Sequence, residues 1–185
     1  AYWIGDGLKT LYLSAPLAGD VSKAAVGLQT GDNDKFMRFW YEVSWNNINC
    51  SFLSTDHTEG SSTKWVPYNK GGSYRKWYGN REYVVNWKNN GEDIKAIKPK
   101  SVVRSPQLYF KESITWSEIT SSWKSFRLNP KGSISDVKGQ SAYFKSESEL
   151  FRALCWLNSN ITEYLPKVLN PTLSFQSGDH KSLRM

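Results

Sequence analysis

The apolar periodicity changes once along this chain, and that change sets the class of fold open to it. Before residue 146, apolar residues come in short strand-like runs cut by turn residues. Ala24-Ala25-Val26-Gly27-Leu28 runs into a turn at Thr30-Gly31-Asp32-Asn33-Asp34, and the stretch from Phe36 to Val43 is dense in strand-favouring aromatics. Residues 46–63 are polar and read as a long loop. Tyr83-Val84-Val85-Asn86-Trp87 is a strong strand, and Asn89-Asn90-Gly91 after it is a turn signal. Ser113-Ile114-Thr115-Trp116 and Ser125-Phe126-Arg127-Leu128 are further strands, with Asn129-Pro130-Lys131-Gly132 as a turn. Then the period lengthens. Ser146-Glu147-Ser148-Glu149 is a capping box, and Leu150, Leu154, Leu157, Ile161 and Leu165 follow at helical spacing. Asn158-Ser159-Asn160 and Pro166 divide that run into two short helices. The leucine stripe is core, or a packing face for another domain. The expected fold is α+β: a twisted, mostly antiparallel sheet or partial β-barrel with C-terminal helices. Its parts are a connecting segment over 1–23, a β-rich core over 24–145 and a helical element over 146–185, all in one domain.

With 185 residues, 39% of them hydrophobic, the chain can bury a real core. No run approaches the ~20 apolar residues that span a bilayer. The first six residues lack the charged and apolar regions of a signal peptide. Cys50 and Cys155 are too few for a disulfide framework, and with His57 and His180 they lack zinc-site spacing. Both histidines sit in polar sequence surroundings. A cytoplasmic, metal-free protein is expected. Starting at Ala1 without Met and stopping at Met185, the chain reads as a piece of a longer protein.

The net charge of +7 is uneven. Residues 64–111 hold 11 basic and 3 acidic side chains, net +8, which accounts for the whole excess. Such a surplus in one stretch points to a polyanion partner or to a solvated face. Aromatics are interleaved with it: Lys64-Trp65, Tyr74-Arg75-Lys76-Trp77-Tyr78, Tyr83 and Trp87-Lys88. Basic side chains track phosphates, and flat rings stack on bases or sugars.

Catalytic chemistry is missing. No nucleophile is paired with a base, and the acidic residues are scattered. Gly5-Asp6-Gly7 and Gly71-Gly72 lack the third glycine and the strand–turn–helix context of a dinucleotide loop. Asn129-Pro130 and Asn170-Pro171 are followed by Lys131 and Thr172, not by the Pro-aromatic pair of an amino-methyltransferase. The chain by itself is not expected to be an enzyme.

Six strings in one order carry a resemblance. They are Gly27-Leu28-Gln29-Thr30-Gly31-Asp32-Asn33, Tyr68-Asn69-Lys70-Gly71-Gly72, and Trp77-Tyr78-Gly79-Asn80 leading to Val84-Val85-Asn86-Trp87. Ile114-Thr115-Trp116-Ser117, Leu157-Asn158-Ser159 and the stretch from Leu169 to Asp179 complete the set. Over roughly residues 24–180 the chain resembles the C-terminal region of PglX-type adenine-specific DNA methyltransferases of BREX phage-defence systems. More distantly it is similar to the target recognition domains of Type I restriction specificity subunits and TaqI-like methyltransferases. The resemblance implies a division of labour. A separate domain would bind S-adenosylmethionine and methylate a flipped adenine, and this chain would hold double-stranded DNA and select the site. Its implied partners are DNA, the methyltransferase domain and other BREX proteins, with no membrane and no cofactor in this chain.

The candidate DNA-binding residues follow from charge and turn chemistry. Thr30 and Asn33, with Lys35 and Arg38 nearby, belong to a turn whose amides suit a phosphate or, equally, a structural hairpin. Lys70, Arg75 and Lys76 are assigned to DNA on an exposed loop beside Gly71-Gly72, whereas Trp77 and Tyr78 are expected to pack. The unrecognised stretches are where base readers belong. Lys98, Lys100, Arg104 and Gln107 carry groups suited to guanine and adenine edges, unlike the net acidic stretch 44–63. Two other readings compete: a domain that docks onto other defence proteins through its C-terminal helices, and a carbohydrate-binding module built on the nine tryptophans.

Overall fold

The computed structural model describes residues 5–121, 123–160, 162 and 172–185. Among them lie six helices, α1 (Asp6–Ser14), α2 (Ala18–Val21), α3 (Asn33–Phe36), α4 (Lys88–Ala96), α5 (Glu147–Leu157) and α6 (Ser177–Ser182). The strands are β1 (Ser22–Ala25), β2 (Met37–Phe39), β3 (Trp65–Asn69), β4 (Tyr83–Asn86), β5 (Ser113–Ser117), β6 (Phe126–Asn129), β7 (Ile134–Ser135) and β8 (Gly139–Phe144). The α+β class is as expected. The strands form two four-stranded sheets rather than one sheet or a closed barrel, ordered β1-β8-β5-β6 and β2-β4-β3-β7. All pairs are antiparallel except β3 with β7. No helix among the described residues is long and apolar enough to cross a membrane.

Each sheet has its own core. On β5, Ile114 and Trp116 alternate with polar Thr115 and lie in one cluster with Leu150, Leu154 and Leu157 of α5. The leucine stripe is therefore spent on this chain's own sheet. Ile161, Leu165 and Pro166, read as the continuation of that stripe, lie outside the described residues. The capping box closes only on one side: the Glu149 amide donates to Ser146 Oγ at 3.2 Å, while Glu149 Oε2 is buried without a hydrogen-bond partner. The second core gathers Leu28, Phe36, Tyr68, Val85, Trp87 and Ile134.

The seam between the sheets is polar. Asn69 of β3 donates to Thr115 of β5, and the Ser135 and Ser141 hydroxyls meet at 2.7 Å. Gly139 is required there, because a Cβ would lie 2.3 Å from the Asn69 carbonyl oxygen. This explains why β7 and β8 escape a sequence reading: their seam residues Ser135, Gly139 and Ser141 are small or polar. The third unread strand, β3, contains Pro67, which argues against a strand. The strand expected over Phe36 to Val43 shortens to β2, followed by a 3-10 turn over Trp40–Glu42. Asn89, Asn90 and Gly91 do turn, all with left-handed dihedrals, and they open α4, which the sequence did not announce.

Candidate functional site

The sequence-selected turn sits at the junction of both sheets. Leu28 bridges Asp136, and Gln29 exchanges two backbone hydrogen bonds with Val102, each 2.9 Å. Gly31 has φ 77°, and a Cβ there would lie 2.6 Å from the Lys100 carbonyl carbon. That close approach lays the 100–102 segment against the turn. Thr30 is buried, and its hydroxyl donates to Asn33 Oδ1 at 2.7 Å. Asp32 caps α3 by accepting from the Lys35 amide at 2.9 Å. Lys35 is exposed, with its ammonium 5.1 Å from the Phe36 ring centroid. Arg38 is folded back, its Nη1 donating to the Asp34 and Met37 carbonyls.

Beside the turn opens a cleft of about 450 Å³ lined by residues 29–33, Lys70, Asp136, Val137 and Lys138. It brings Thr30, Asn33 and Lys70 together. The Lys70 ammonium lies 3.6 Å from Met37 Sδ, and Lys138 pairs with Glu118 at 2.9 Å. Asp136 is buried, accepting from the Tyr68 hydroxyl and, at 2.6 Å, from the Lys138 amide. Burial pushes its carboxyl up from the ordinary aspartate range. The two hydrogen bonds and the nearby Lys70 and Lys138 charges oppose that shift. Sequence reasoning missed Asp136 and Lys138, which stand in a Gly/Ser-rich stretch without a chemical signature.

Lys70 leads directly into a second feature, the loop Gly71 to Asn80. Five hydrogen bonds fix it. The Ser117 hydroxyl accepts from the Gly72 amide at 3.0 Å and donates to the Gly72 carbonyl at 2.8 Å. Asn80, itself buried, donates to the Ser73 carbonyl at 2.8 Å. The Trp77 amide donates to the Phe126 carbonyl at 2.9 Å, and the Leu128 amide donates to Trp77 at 2.8 Å. Beneath the loop lies Arg127, fully buried, donating to the Arg75 carbonyl and to Ser125 and Ser117. Burial lowers its pKa to about 10, so it stays charged at neutral pH.

Two expectations for this loop change. Trp77 and Tyr78 do not pack: they are 50% and 58% exposed. The Trp77 backbone is held against β6 and the Tyr78 amide turns back to the Lys76 carbonyl, and both rings stay on the outside. Lys76 is half-buried rather than free in an exposed loop, and its ammonium donates to the Asn158 carbonyl at 2.9 Å, just past the end of α5. A cation is favoured there by the helix dipole. Arg75 is exposed as expected, and Arg81 lies over the Tyr78 ring at 5.6 Å. Lys98, Lys100, Arg104 and Gln107 are all exposed.

His180 is not in polar surroundings. It is buried and stacked on Trp116 at 5.1 Å, with Nε2 3.0 Å from Ser22 Oγ. The Ser22 hydroxyl already donates to the Ala18 carbonyl, so Nε2 carries the proton and Nδ1 is left bare. Among the described residues, no group of three His, Cys, Asp or Glu side chains is placed to hold a metal ion.

These features define a compact class of object: a two-sheet α+β domain whose cation-rich segment frames a polar cleft and a rigid loop of outward aromatics. No protein-family model matches the chain. It is 40% identical over 185 residues to the adenine-specific methyltransferase PglX of Lacticaseibacillus casei (strain Zhang), covering 96% of this chain and 15% of that protein. It is 35% identical over 182 residues to the adenine-specific methyltransferase BrxX of Escherichia coli O9:H4 (strain HS), covering 97% of this chain and 14% of that protein. The chain is thus homologous to a segment of these adenine-specific methyltransferases, and spans roughly one seventh of the length of the relatives it matches.

Proposed function

We propose that this chain is a DNA-binding target recognition domain that selects the site for adenine methylation by a BREX-type methyltransferase. S-adenosylmethionine and the methyl transfer belong, in this reading, to a part of the enzyme outside this chain. The observation that carries the proposal is the continuity of the cleft with the loop: Lys70 lines one and leads into the other, which presents Arg75, Trp77 and Tyr78. Cations along a groove hold phosphates, and rigid exposed side chains beside it reach bases. Lys35, Lys70, Lys138 and Arg75 take the role of phosphate contacts. Lys98, Lys100, Arg104 and Gln107 take the role of base readers. Thr30 and Asn33 shape the turn, and Arg38 and Lys76 brace the backbone.

Docking onto other defence proteins through the leucine stripe is disfavoured, because Leu150, Leu154 and Leu157 are buried against β5 and β6. The test is binding of the chain to random duplex DNA across a salt series. If about four to six phosphates are neutralised, log affinity falls against log salt with a slope of roughly −4 to −5. A flat response, the behaviour of a sugar- or protein-binding domain, rejects the proposal.

A further inference from the structure

Trp77 occupies the left-handed region of backbone space, with φ 74°. For a bulky side chain this is a true outlier, and such outliers gather where a surface is built to hold something. The backbone has no freedom to relax, since β6 grips Trp77 through both its amide and its carbonyl. The backbone that carries the indole is therefore held in place, and the ring is half exposed. Its neighbour Tyr78 carries the Arg81 guanidinium on its ring, whereas among the described residues no ring or cation stacks on Trp77. Arg75 and Arg81 flank it within four residues. A half-exposed indole in a cation-rich loop fits a flat ring attached to an anionic backbone.

In an intact duplex the base faces are covered by their neighbours, so the face that Trp77 can meet belongs to a base outside the stack. We infer that Trp77 is a stacking platform for a nucleobase displaced from the DNA helix. This rests on the DNA-binding reading above and adds to it a preference for opened DNA. The anchored backbone favours that preference, because the loop does not have to be ordered on contact.

The experiment compares a duplex carrying one unpaired 2-aminopurine with the same duplex fully paired. The chain is expected to bind the unpaired form about fivefold or more tighter, the low end of base–aromatic stacking, and to quench the 2-aminopurine fluorescence. Trp77→Leu is expected to lose the quench and to bind the two duplexes with equal affinity. Trp77→Phe, which keeps a flat face, is expected to retain the preference. Equal affinity of the parent chain for the two duplexes overturns the inference alone, as does a preference that survives in Trp77→Leu or is lost in a Trp77→Phe variant that still binds paired DNA. Failure to bind either duplex overturns it together with the reading it rests on.

Discussion

Arg127 Nη2 donates to Ser117 Oγ at 3.3 Å, and that same hydroxyl holds both backbone groups of Gly72. The buried guanidinium thus reaches the surface loop through one serine. It also donates to the Arg75 carbonyl at 3.4 Å, while its Nε has no hydrogen-bond partner. Truncating Arg127→Ala strips these acceptors of their donor and leaves a cavity beneath the loop, and is expected to cost about 3 kcal/mol of stability. Denaturant unfolding measures the loss. Hydrogen exchange should place the loosened amides in the Gly71 to Asn80 loop, and a change below about 1 kcal/mol contradicts this account.

Gly31→Ala strains a left-handed residue and pushes a methyl into the Lys100 backbone. Because neither side of that contact is a flexible side chain, the expected loss is about 2 to 4 kcal/mol. A melting temperature within a degree of the parent's would show that the turn can open without cost.

The Lys70→Gln and Lys138→Gln variants remove one positive charge each from the cleft. Each is expected to reduce the salt slope of DNA binding by about 0.9, with little change in sequence preference. An unchanged slope in both places the phosphates elsewhere.

His180 makes the fold acid-sensitive. Burial, the larger cause, and the Lys181 charge hold its pKa down at about 4, against about 6.5 in the unfolded chain. The unfolded state therefore binds the proton first. The stabilisation is complete above pH 6.5 and is lost as pH falls towards 4, a change of about 3 kcal/mol. Asp136, whose carboxyl is raised by burial, works in the opposite sense over the acid range. The difference between the parent and His180→Gln isolates the histidine. Parallel stability curves for the two from pH 7 to pH 4 would disprove its part.

Site choice is testable in a full-length methyltransferase that contains this segment. With Arg104→Ala and Gln107→Ala, sequencing of methylated sites is expected to show relaxed choice at particular bases. Uniformly weaker methylation at unchanged sites would make these residues phosphate contacts, and no effect would make them a connector.

The sequence was legible where one physical requirement dominates. The α5 stripe and the Ile114/Trp116 alternation face apolar layers, so their periods are plain. It was illegible where two requirements meet. Gly139, Ser135 and Ser141 look like loop residues because the seam between sheets demands small polar groups rather than strand formers. Trp77 has the hydrophobicity of a core residue, but its backbone is taken by β6 and its ring is turned outward. Lys76 has the charge of a surface residue, yet it serves the end of a helix. Within the site, the turn at residues 30–33 could be located from its glycine and its Asp/Asn pair. Lys138 could not, because its place in the cleft comes from the β7–β8 connection alone.

β6 lies at the end of its sheet, and its outer side is not bare. Phe126 exchanges hydrogen bonds with the Asn158 side chain at 2.9 and 3.1 Å, and the Trp77 backbone bonds to the Phe126 carbonyl and the Leu128 amide. The loop is in effect a short false strand that closes the sheet against addition of another chain. Changes that free it would therefore bare a row of unpaired amides and carbonyls. Solubility and self-association thus depend on the same few bonds that hold Trp77 outward.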